Sequence, residues 1–204
     1  MAFETNIFIN CPFDDGYKPI LNSIIFTVIC CGLTPRLSEN RDSSESRLSN
    51  IQTIIEESKY SVHDLSRMEA DKKGQLARFN MPFELGMDFG CKRYKGGVHS
   101  GKKLLVLDSE RYRYQKALSD ISGSDIADHN NSPEKAVSQV RNWLQKLKYD
   151  GTPNLQTSSS IWTWYNEFQG NFEALTTKAD RDSMPWNEYL GYINQFLEGK
   201  KTSS

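Results

Sequence analysis

The sequence predicts a doubly wound α/β fold with a mostly parallel, five-stranded sheet and a helical C-terminal extension. Three observations support this fold class. Short apolar runs alternate with segments of helical periodicity over residues 1–148. Residues 149–160 contain Gly151, Pro153 and three consecutive serines, which is typical of a linker. Residues 161–199 carry two aromatic-rich helical patterns, so we expect a core domain, a linker and a helical segment.

The predicted strands are short apolar or alternating runs bounded by polar residues and turn formers. In chain order they are residues 6–10, 33–37, 60–65, 103–108 and 125–127. Residues 103–108 are the clearest strand, and residues 33–37 are the weakest. Because strands joined through helices run parallel with right-handed crossovers, the loops that follow them should meet at one edge of the sheet.

The first two predicted helices lie before the third strand. Residues 17–31 have helical periodicity, and Gly32 ends this helix. A second helix runs to about Ser58, with residues 42–45 supplying its cap and acidic first turn. The inward-facing stripe of this helix is predicted to be Leu48, Ile51, Ile54 and Ile55.

Later helices complete the fold. Residues 82–92 form the third helix, and a fourth begins at Pro133 with Ser132 as its cap. The apolar stripe of the fourth helix is Val137, Val140, Trp143, Leu144 and Leu147. Beyond the linker, residues 161–172 and 186–196 hold more large aromatic groups than a solvated tail would, so we expect them to pack on the core.

Composition and charge exclude several function classes. Lys+Arg 25 against Asp+Glu 26 gives a net charge of -1, so we expect no direct binding to nucleic acid and none to a membrane. The longest apolar run, residues 20–33, is too short to cross a bilayer. No secretory leader pattern opens the chain, and the four cysteines lack C-x-x-C spacing. We therefore expect a cytoplasmic protein with reduced cysteines and no metal or other cofactor.

Two carboxylates are predicted at the edge where the strands end. Asp64 ends the third strand, and Glu84 lies one turn inside a helix whose other positions are mostly apolar or glycine. Contact with Phe79, Phe83 and Leu85 should remove water from the Glu84 carboxyl and raise its pKa. The alternative is an exposed glutamate on an amphipathic helix. His63, inside the third strand, is expected to be a structural histidine.

These side chains suit the cleavage of an N-glycosidic bond. Its transition state resembles an oxocarbenium ion, so the reaction needs a carboxylate as nucleophile or ion stabiliser. It also needs a polar group to hold the sugar, and Asn80 should point the same way as Glu84 because it lies four residues earlier. The aromatic candidates for stacking on the base are Phe13, Tyr17 and Phe79.

The same residues resemble a known enzyme family. Residues 7–13 (Ile-Phe-Ile-Asn-Cys-Pro-Phe), Asp64 at a strand end and residues 80–86 (Asn-x-x-x-Glu-Leu-Gly) are similar to the nucleoside 2-deoxyribosyltransferases. More loosely, they resemble TIR-like domains that cleave NAD. The resemblance covers residues 5–110 and implies a flavodoxin-like or TIR-like fold, with Glu84 as the nucleophile and Asp64 on the sugar side.

One departure from the family bears on the substrate. Residues 80–82, Asn-Met-Pro, stand where the family has Gly-Thr before its glutamate, which argues against free nucleosides. Five arginines near the predicted edge favour a phosphorylated substrate, a nucleotide or NAD, and they are Arg36, Arg41, Arg47, Arg67 and Arg78. The catalytic candidates are Glu84, Asp64 and Asn80. The substrate-binding candidates are Asn10, Pro12, Phe13, Asp14, Tyr17, Arg47, Ser66, Arg78 and Phe79.

The resemblance also extends to effectors of bacterial antiphage systems, in which such a domain is switched on by a partner or by assembly. It implies an activating protein partner and a homo-oligomer, besides the nucleotide or NAD substrate. The main alternative is a TIR-like or flavodoxin-like module that binds a nucleotide or a protein without turning it over. In that case Glu84 should be paired to an arginine such as Arg78.

Overall fold

The computed structural model describes residues 2–38, 46–69, 79–121, 124–147 and 155–202. Its centre is one sheet of five parallel strands in the order β2-β1-β3-β4-β5. The strands are β1 Asn6–Asn10, β2 Thr34–Arg36, β3 Tyr60–Asp64, β4 Lys103–Asp108 and β5 Asp125–Asp128. All five predicted strands are confirmed to within one residue at each end. With helices on both faces of the sheet, the chain has a doubly wound, Rossmann-like α/β fold.

Eight α-helices lie within the described residues. They are α1 Ala2–Thr5, α2 Lys18–Cys30, α3 Arg47–Glu56, α4 Asn80–Gly90, α5 Pro133–Leu147, α6 Ser158–Leu175, α7 Lys178–Ser183 and α8 Trp186–Thr202. A π-helical turn, Cys91–Lys95, continues α4. Gly32 closes α2 at φ +78°, a left-handed conformation that glycine adopts without strain. The predicted cap of α5 is confirmed, because the Ser132 hydroxyl accepts the Lys135 amide at 3.3 Å.

Side chains that alternate along the strands pack into two apolar layers, one on each face of the sheet. On one face, α2 and α5 cover Ile7, Ile9, Val62, Leu105 and Leu107. On the other face, α3 and α4 cover Phe8, Leu104 and Val106. Because β1, β3 and β4 are buried on both faces, the positions at which these strands end are fixed by packing on either side.

The C-terminal helices share the core of the sheet domain. The ring centroids of Phe26 on α2 and Phe168 on α6 lie 5.5 Å apart, and those of Phe172 and Tyr189 lie 5.3 Å apart. Ile161, Tyr165 and Ile193 belong to the same buried cluster as the strands, which confirms the prediction that these segments pack on the core. Among the described helices, none combines the length and apolar character needed to cross a membrane.

Three local predictions are wrong. Leu48 is 44% exposed, because it lies in the first turn of α3, ahead of the residues that meet the sheet. The N-cap of α3 is Ser46, whose hydroxyl accepts the Ser49 amide at 3.2 Å, and the predicted cap at residues 42–45 lies outside the described residues. The serines at the end of the predicted linker form the first turn of α6, capped by Thr157.

Candidate active site

Four neighbouring strands each end in a polar side chain at the same edge of the sheet. These side chains are Asn10 on β1, Asp64 on β3, Asp108 on β4 and Asp128 on β5. The first three are buried, so each needs partners within the protein. This edge, where the loops after the strands meet, is the candidate active site that the sequence predicts.

Asp64 is the centre of a buried hydrogen-bonded group on the α2 side of the sheet. Its Oδ2 accepts the Tyr17 hydroxyl at 2.7 Å and lies 2.9 Å from His129 Nε2, while its Oδ1 accepts the Ser66 amide at 2.8 Å. The Asn131 amide donates to His129 Nδ1 at 3.0 Å, so the other ring nitrogen carries the proton that points at Asp64. Two hydrogen-bond donors and the nearby His129 ring thus surround the Asp64 carboxyl.

The charge of Asp64 is stabilised by these partners. Burial raises the pKa of its carboxyl, but the hydrogen bond and charge of His129, with the donors from Ser66 and Tyr17, outweigh burial and hold the pKa below its ordinary value. Asp64 is therefore an anion at neutral pH. Since the residue is fully buried, it supports the edge from beneath in this structure and does not present an oxygen to a sugar.

The hydroxyl of Tyr17 is a testable part of this group. Tyr17→Phe removes one donor to a buried carboxylate, so we expect the free energy of unfolding to fall by about 1.5–3 kcal/mol. Urea unfolding at pH 7 measures the loss. Tyr94→Phe is the matched control, because Tyr94 is 87% exposed and its hydroxyl should contribute almost nothing. Equal stability of Tyr17→Phe and wild type would contradict the hydrogen bond.

The loops after β3 and β4 are tied together by Arg113. Its guanidinium donates to Asp108 Oδ1 at 2.8 Å from Nε and to the Leu65 carbonyl at 2.7 Å from Nη2. A further contact at 3.0 Å joins Arg113 to Glu69. Arg113 therefore holds two of the edge loops in a fixed relation, a role the sequence analysis did not assign to it.

Glu84 differs from Asp64 in that its carboxyl accepts no hydrogen bond from the part of the chain that the structure describes. It lies in α4, which packs against α3, β1 and β3, and the residue is only 4% exposed. Burial raises the pKa of the Glu84 carboxyl to about 7, and the positive charge of Arg47 on α3 opposes part of that rise. Among the described residues, no basic side chain forms an ion pair with Glu84. The raised pKa predicted from the sequence and its cause, desolvation, are confirmed, but of the three neighbours expected to exclude water only Leu85 is buried.

Phe79 and Phe83 are not what excludes water from Glu84. They are 66% and 58% exposed, on the outer side of α4. The helix instead turns Glu84, Leu85 and Asp88 toward the sheet and α3, so the desolvation comes from tertiary packing. An i,i+4 pattern of aromatic residues marks an exposed face here, which the sequence alone does not distinguish from a buried one.

Asn10 lies beneath the start of α4. Its Nδ2 donates to His63 Nδ1 at 3.0 Å and to the Met81 carbonyl at 3.1 Å, and the residue is 1% exposed. His63 is fully buried, and its Nε2 lies 3.0 Å from Asp88 Oδ2. The expectation of a structural histidine is confirmed, and Asn10 is committed to the same internal contacts.

The other predicted site residues are distributed along the edge. Phe13 is 43% exposed, Pro12 is buried, and Asp14 accepts the Tyr17 amide at 3.1 Å. Tyr17 is fully buried, so its ring is not open to a base as predicted. Asn80, Arg47 and Phe79 are exposed, and Ser66 is partly buried with its hydroxyl lacking a partner in the described part of the chain. Arg78 lies outside the described residues.

Two functional groups escaped the sequence analysis. His129 directly follows β5, so its place in the chain was a usable signal that it would reach the edge. Lys102 precedes β4 and is fully buried against Asp88, for which the sequence gives no sign. Within the described ranges, no three His, Cys, Asp or Glu side chains come together as a metal site.

A cavity of about 660 Å³ lies beside the loop that follows β1. Phe13 and Asp15 from that loop line it together with residues of α2, α6, α7 and α8, among them Lys18, Phe172 and Trp186. Its charged residues are of both signs.

No protein-family model matches the chain, and no curated protein matches it significantly.

Proposed function

We propose that the protein cleaves the N-glycosidic bond of a nucleotide or of NAD, with Glu84 as nucleophile or as stabiliser of the oxocarbenium ion. The observation that carries the proposal is the buried Glu84 carboxyl, whose pKa is raised to about 7, on a helix whose first turn meets Asn10 at the carboxyl end of β1. A carboxylate without a stabilising hydrogen bond is a better nucleophile than one saturated with donors, such as Asp64.

The reaction proceeds in two steps in which bonds and protons balance. In the first, an oxygen of ionised Glu84 forms a bond to the anomeric carbon, while the carbon–nitrogen bond breaks and its electron pair leaves with the base. In the second, water or another base attacks the same carbon and the ester to Glu84 breaks, which restores the carboxylate. In the hydrolytic case, the proton that water loses ends on the released base of a nucleotide or, when neutral nicotinamide leaves NAD, in the solvent. The product is the sugar phosphate or ADP-ribose.

The surroundings of Glu84 are suited to a phosphorylated substrate. Arg47 is exposed, acts on Glu84 through its charge and has no paired carboxylate among the described residues, so it can attract an anionic group without giving up an existing partner. Phe79 is also exposed at the start of α4 and can offer a ring face to a base. Asn80 remains the candidate for holding the sugar.

A second candidate function is a module that binds a nucleotide or a protein without turnover. It is favoured by Asp64, whose carboxyl is already surrounded by Tyr17, His129 and Ser66. Glu84 is thereby left without the second carboxylate that the resemblance implies for turnover. The pairing of Glu84 with an arginine that this alternative predicts has no counterpart among the described residues. In either case, activation by a protein partner or by assembly, as in antiphage effectors, belongs to the proposal.

The test is release of free base by the purified chain. Wild type, Glu84→Gln and the control Glu188→Gln, which changes an exposed glutamate on α8, are incubated with NAD, NADP, nucleoside monophosphates and deoxynucleosides. Chromatography then detects the base. We expect release by wild type and Glu188→Gln, and none by Glu84→Gln. Equal release by Glu84→Gln would overturn the role of Glu84, whereas ligand binding without release would favour the binding module.

A further inference from the structure

Lys102 and Asp88 form an ion pair that is buried entirely under α4. The Lys102 ammonium lies 3.1 Å from Asp88 Oδ1 and donates to the Ile55 carbonyl at 2.7 Å and to the Ser58 carbonyl, and both charged side chains are fully buried. Desolvation makes such a pair expensive, and apolar residues often replace one without loss of stability. A buried pair therefore calls for an explanation beyond stability.

The contacts of this pair continue to the candidate active site. Asp88 meets His63 on β3, His63 meets Asn10 on β1, and Asn10 donates to the Met81 carbonyl in the first turn of α4. This series of polar contacts begins on α4 at Asp88, passes across β3 and β1, and returns to α4 at Met81. We call this group of four contacting residues, Asn10, His63, Asp88 and Lys102, the clamp.

Glu84 lies between the two points at which the clamp holds α4. Met81 is three residues before it and Asp88 is four residues after it, so all three share one side of the helix. Movement of this side away from the sheet would break hydrogen bonds that are buried and cannot be replaced by water without opening the core. The clamp therefore fixes the distance between the Glu84 carboxyl and the strands.

We infer that the clamp holds Glu84 out of water, and that Asn10 is a positioning residue for Glu84 in place of the substrate-binding residue predicted from the sequence. This inference rests on the proposed function for its biological meaning. Its physical content, the exclusion of water from Glu84 by contacts at Met81 and Asp88, stands on the geometry alone.

The charged side chains on the elements packed around Glu84 do not explain why its pKa is raised. The titratable or charged side chains on α3, β3 and α4 are Arg47, Glu56, Tyr60, His63, Asp64 and Asp88, and β1 carries none. Of these, Arg47 is the one whose charge acts on Glu84, and it lowers the pKa. Burial must account for the rise, and burial depends on how closely α4 approaches the sheet.

The test measures the protonation of Glu84 without using a substrate. Urea unfolding is followed from pH 4.5 to pH 9 for each background with and without Glu84→Gln. The difference in unfolding free energy changes between the unfolded-state and folded-state pKa values, and the midpoint, taken as the higher pH at which the slope of this difference has fallen to half its maximum, reports the pKa of Glu84 in the folded chain. The backgrounds are wild type, Asn10→Ala, the isosteric Asp88→Asn, and the control Ile51→Val, which removes one methyl group from α3 outside the clamp.

We expect a midpoint of about 7 in wild type and in Ile51→Val. In Asn10→Ala and Asp88→Asn, α4 loosens and water reaches Glu84, so the midpoint should fall by about one pH unit or more toward the ordinary value. Loss of stability with the midpoint still near 7 would overturn the clamp, since a merely structural role predicts that result. If Asn10→Ala does not fold, Asp88→Asn decides alone.

Failure of this inference and failure of the proposed function are distinguishable. A shifted midpoint in a protein that releases no base supports the clamp and contradicts the proposed glycosidase activity. An unshifted midpoint in an active enzyme removes the clamp and leaves the glycosidase intact.

Discussion

Glu84→Gln is expected to abolish turnover and, at the same time, to make the folded protein more stable at alkaline pH. The activity should fall about 10³-fold or more, because glutamine cannot attack the anomeric carbon and does not stabilise an oxocarbenium ion as an anion does. The same substitution removes a carboxyl that is costly to ionise in the fold. Loss of function joined to gain of stability is uncommon for a merely structural residue.

The pH dependence of this stability follows from the raised pKa. Below about pH 4.5, Glu84 is protonated in both the folded and the unfolded chain, so the substitution has little effect. Between about 4.5 and 7 the folded chain retains a proton that the unfolded chain has lost, so wild type becomes steadily less stable relative to Glu84→Gln. Above this range the gap is constant, at about 1–3 kcal/mol after allowance for solvent screening.

Urea unfolding of both proteins at pH 5 and pH 8 measures the gap, with Glu188→Gln as the control that should show none. In the active enzyme, kcat/KM should rise with pH through about 7 and then level off, because the ionised carboxyl is the reactive form. An equal stability difference at both pH values would contradict the raised pKa. A kcat/KM that falls as the pH rises would mean that Glu84 acts as a general acid and not as a nucleophile.

Lys102→Met is expected to cause the largest loss of stability, about 3–5 kcal/mol, because it leaves the buried Asp88 carboxylate without its cation. The Asp88 pKa shows what is lost. Burial raises that pKa, but the hydrogen bond and charge of His63 and the charge of Lys102 outweigh burial and hold it below its ordinary value. Methionine fills similar space, so the change isolates the charge from the packing.

The neighbouring residue provides a matched control for Lys102. Lys103→Met makes the same chemical change at an exposed position, and its effect should remain within about 0.5 kcal/mol. The double variant Asp88→Asn with Lys102→Met removes both charges and should regain part of the loss. Equal unfolding free energies for Lys102→Met and Lys103→Met would mean that Lys102 is not buried as described.

The fold was predictable because its strands are locally encoded. Residues 103–108 are apolar at four consecutive positions and bounded by charges, so both their existence and their limits follow from the pattern. The meeting of the loops after the strands at one edge followed from right-handed crossovers. Leu48 was misplaced because helical periodicity gives the direction of a face but not the point along the helix at which that face meets the sheet.

The candidate site was predictable only in part, for a physical reason. Glu84 was identified from its apolar neighbours in sequence, yet its burial comes from α3 and the sheet, which are distant in sequence. The pairing of Asp64 with His129 joins residues 65 positions apart by their numbers in the chain, and no local pattern encodes it. The burial of Lys102 could not be predicted for the same reason, because two of its partners are the backbone carbonyls of Ile55 and Ser58, which are distant in sequence.

His63 and Asp64 are consecutive residues of β3 that face opposite sides of the sheet, one toward Asp88 and the other toward Tyr17 and His129. A slip of β3 by one residue against β1 and β4 would exchange them. Asp64 would then lie beside the Asp88 carboxylate, and His63 beside His129. A misregistered sheet would bury two like charges in contact, so these neighbours oppose the wrong strand alignment more strongly than apolar packing alone would.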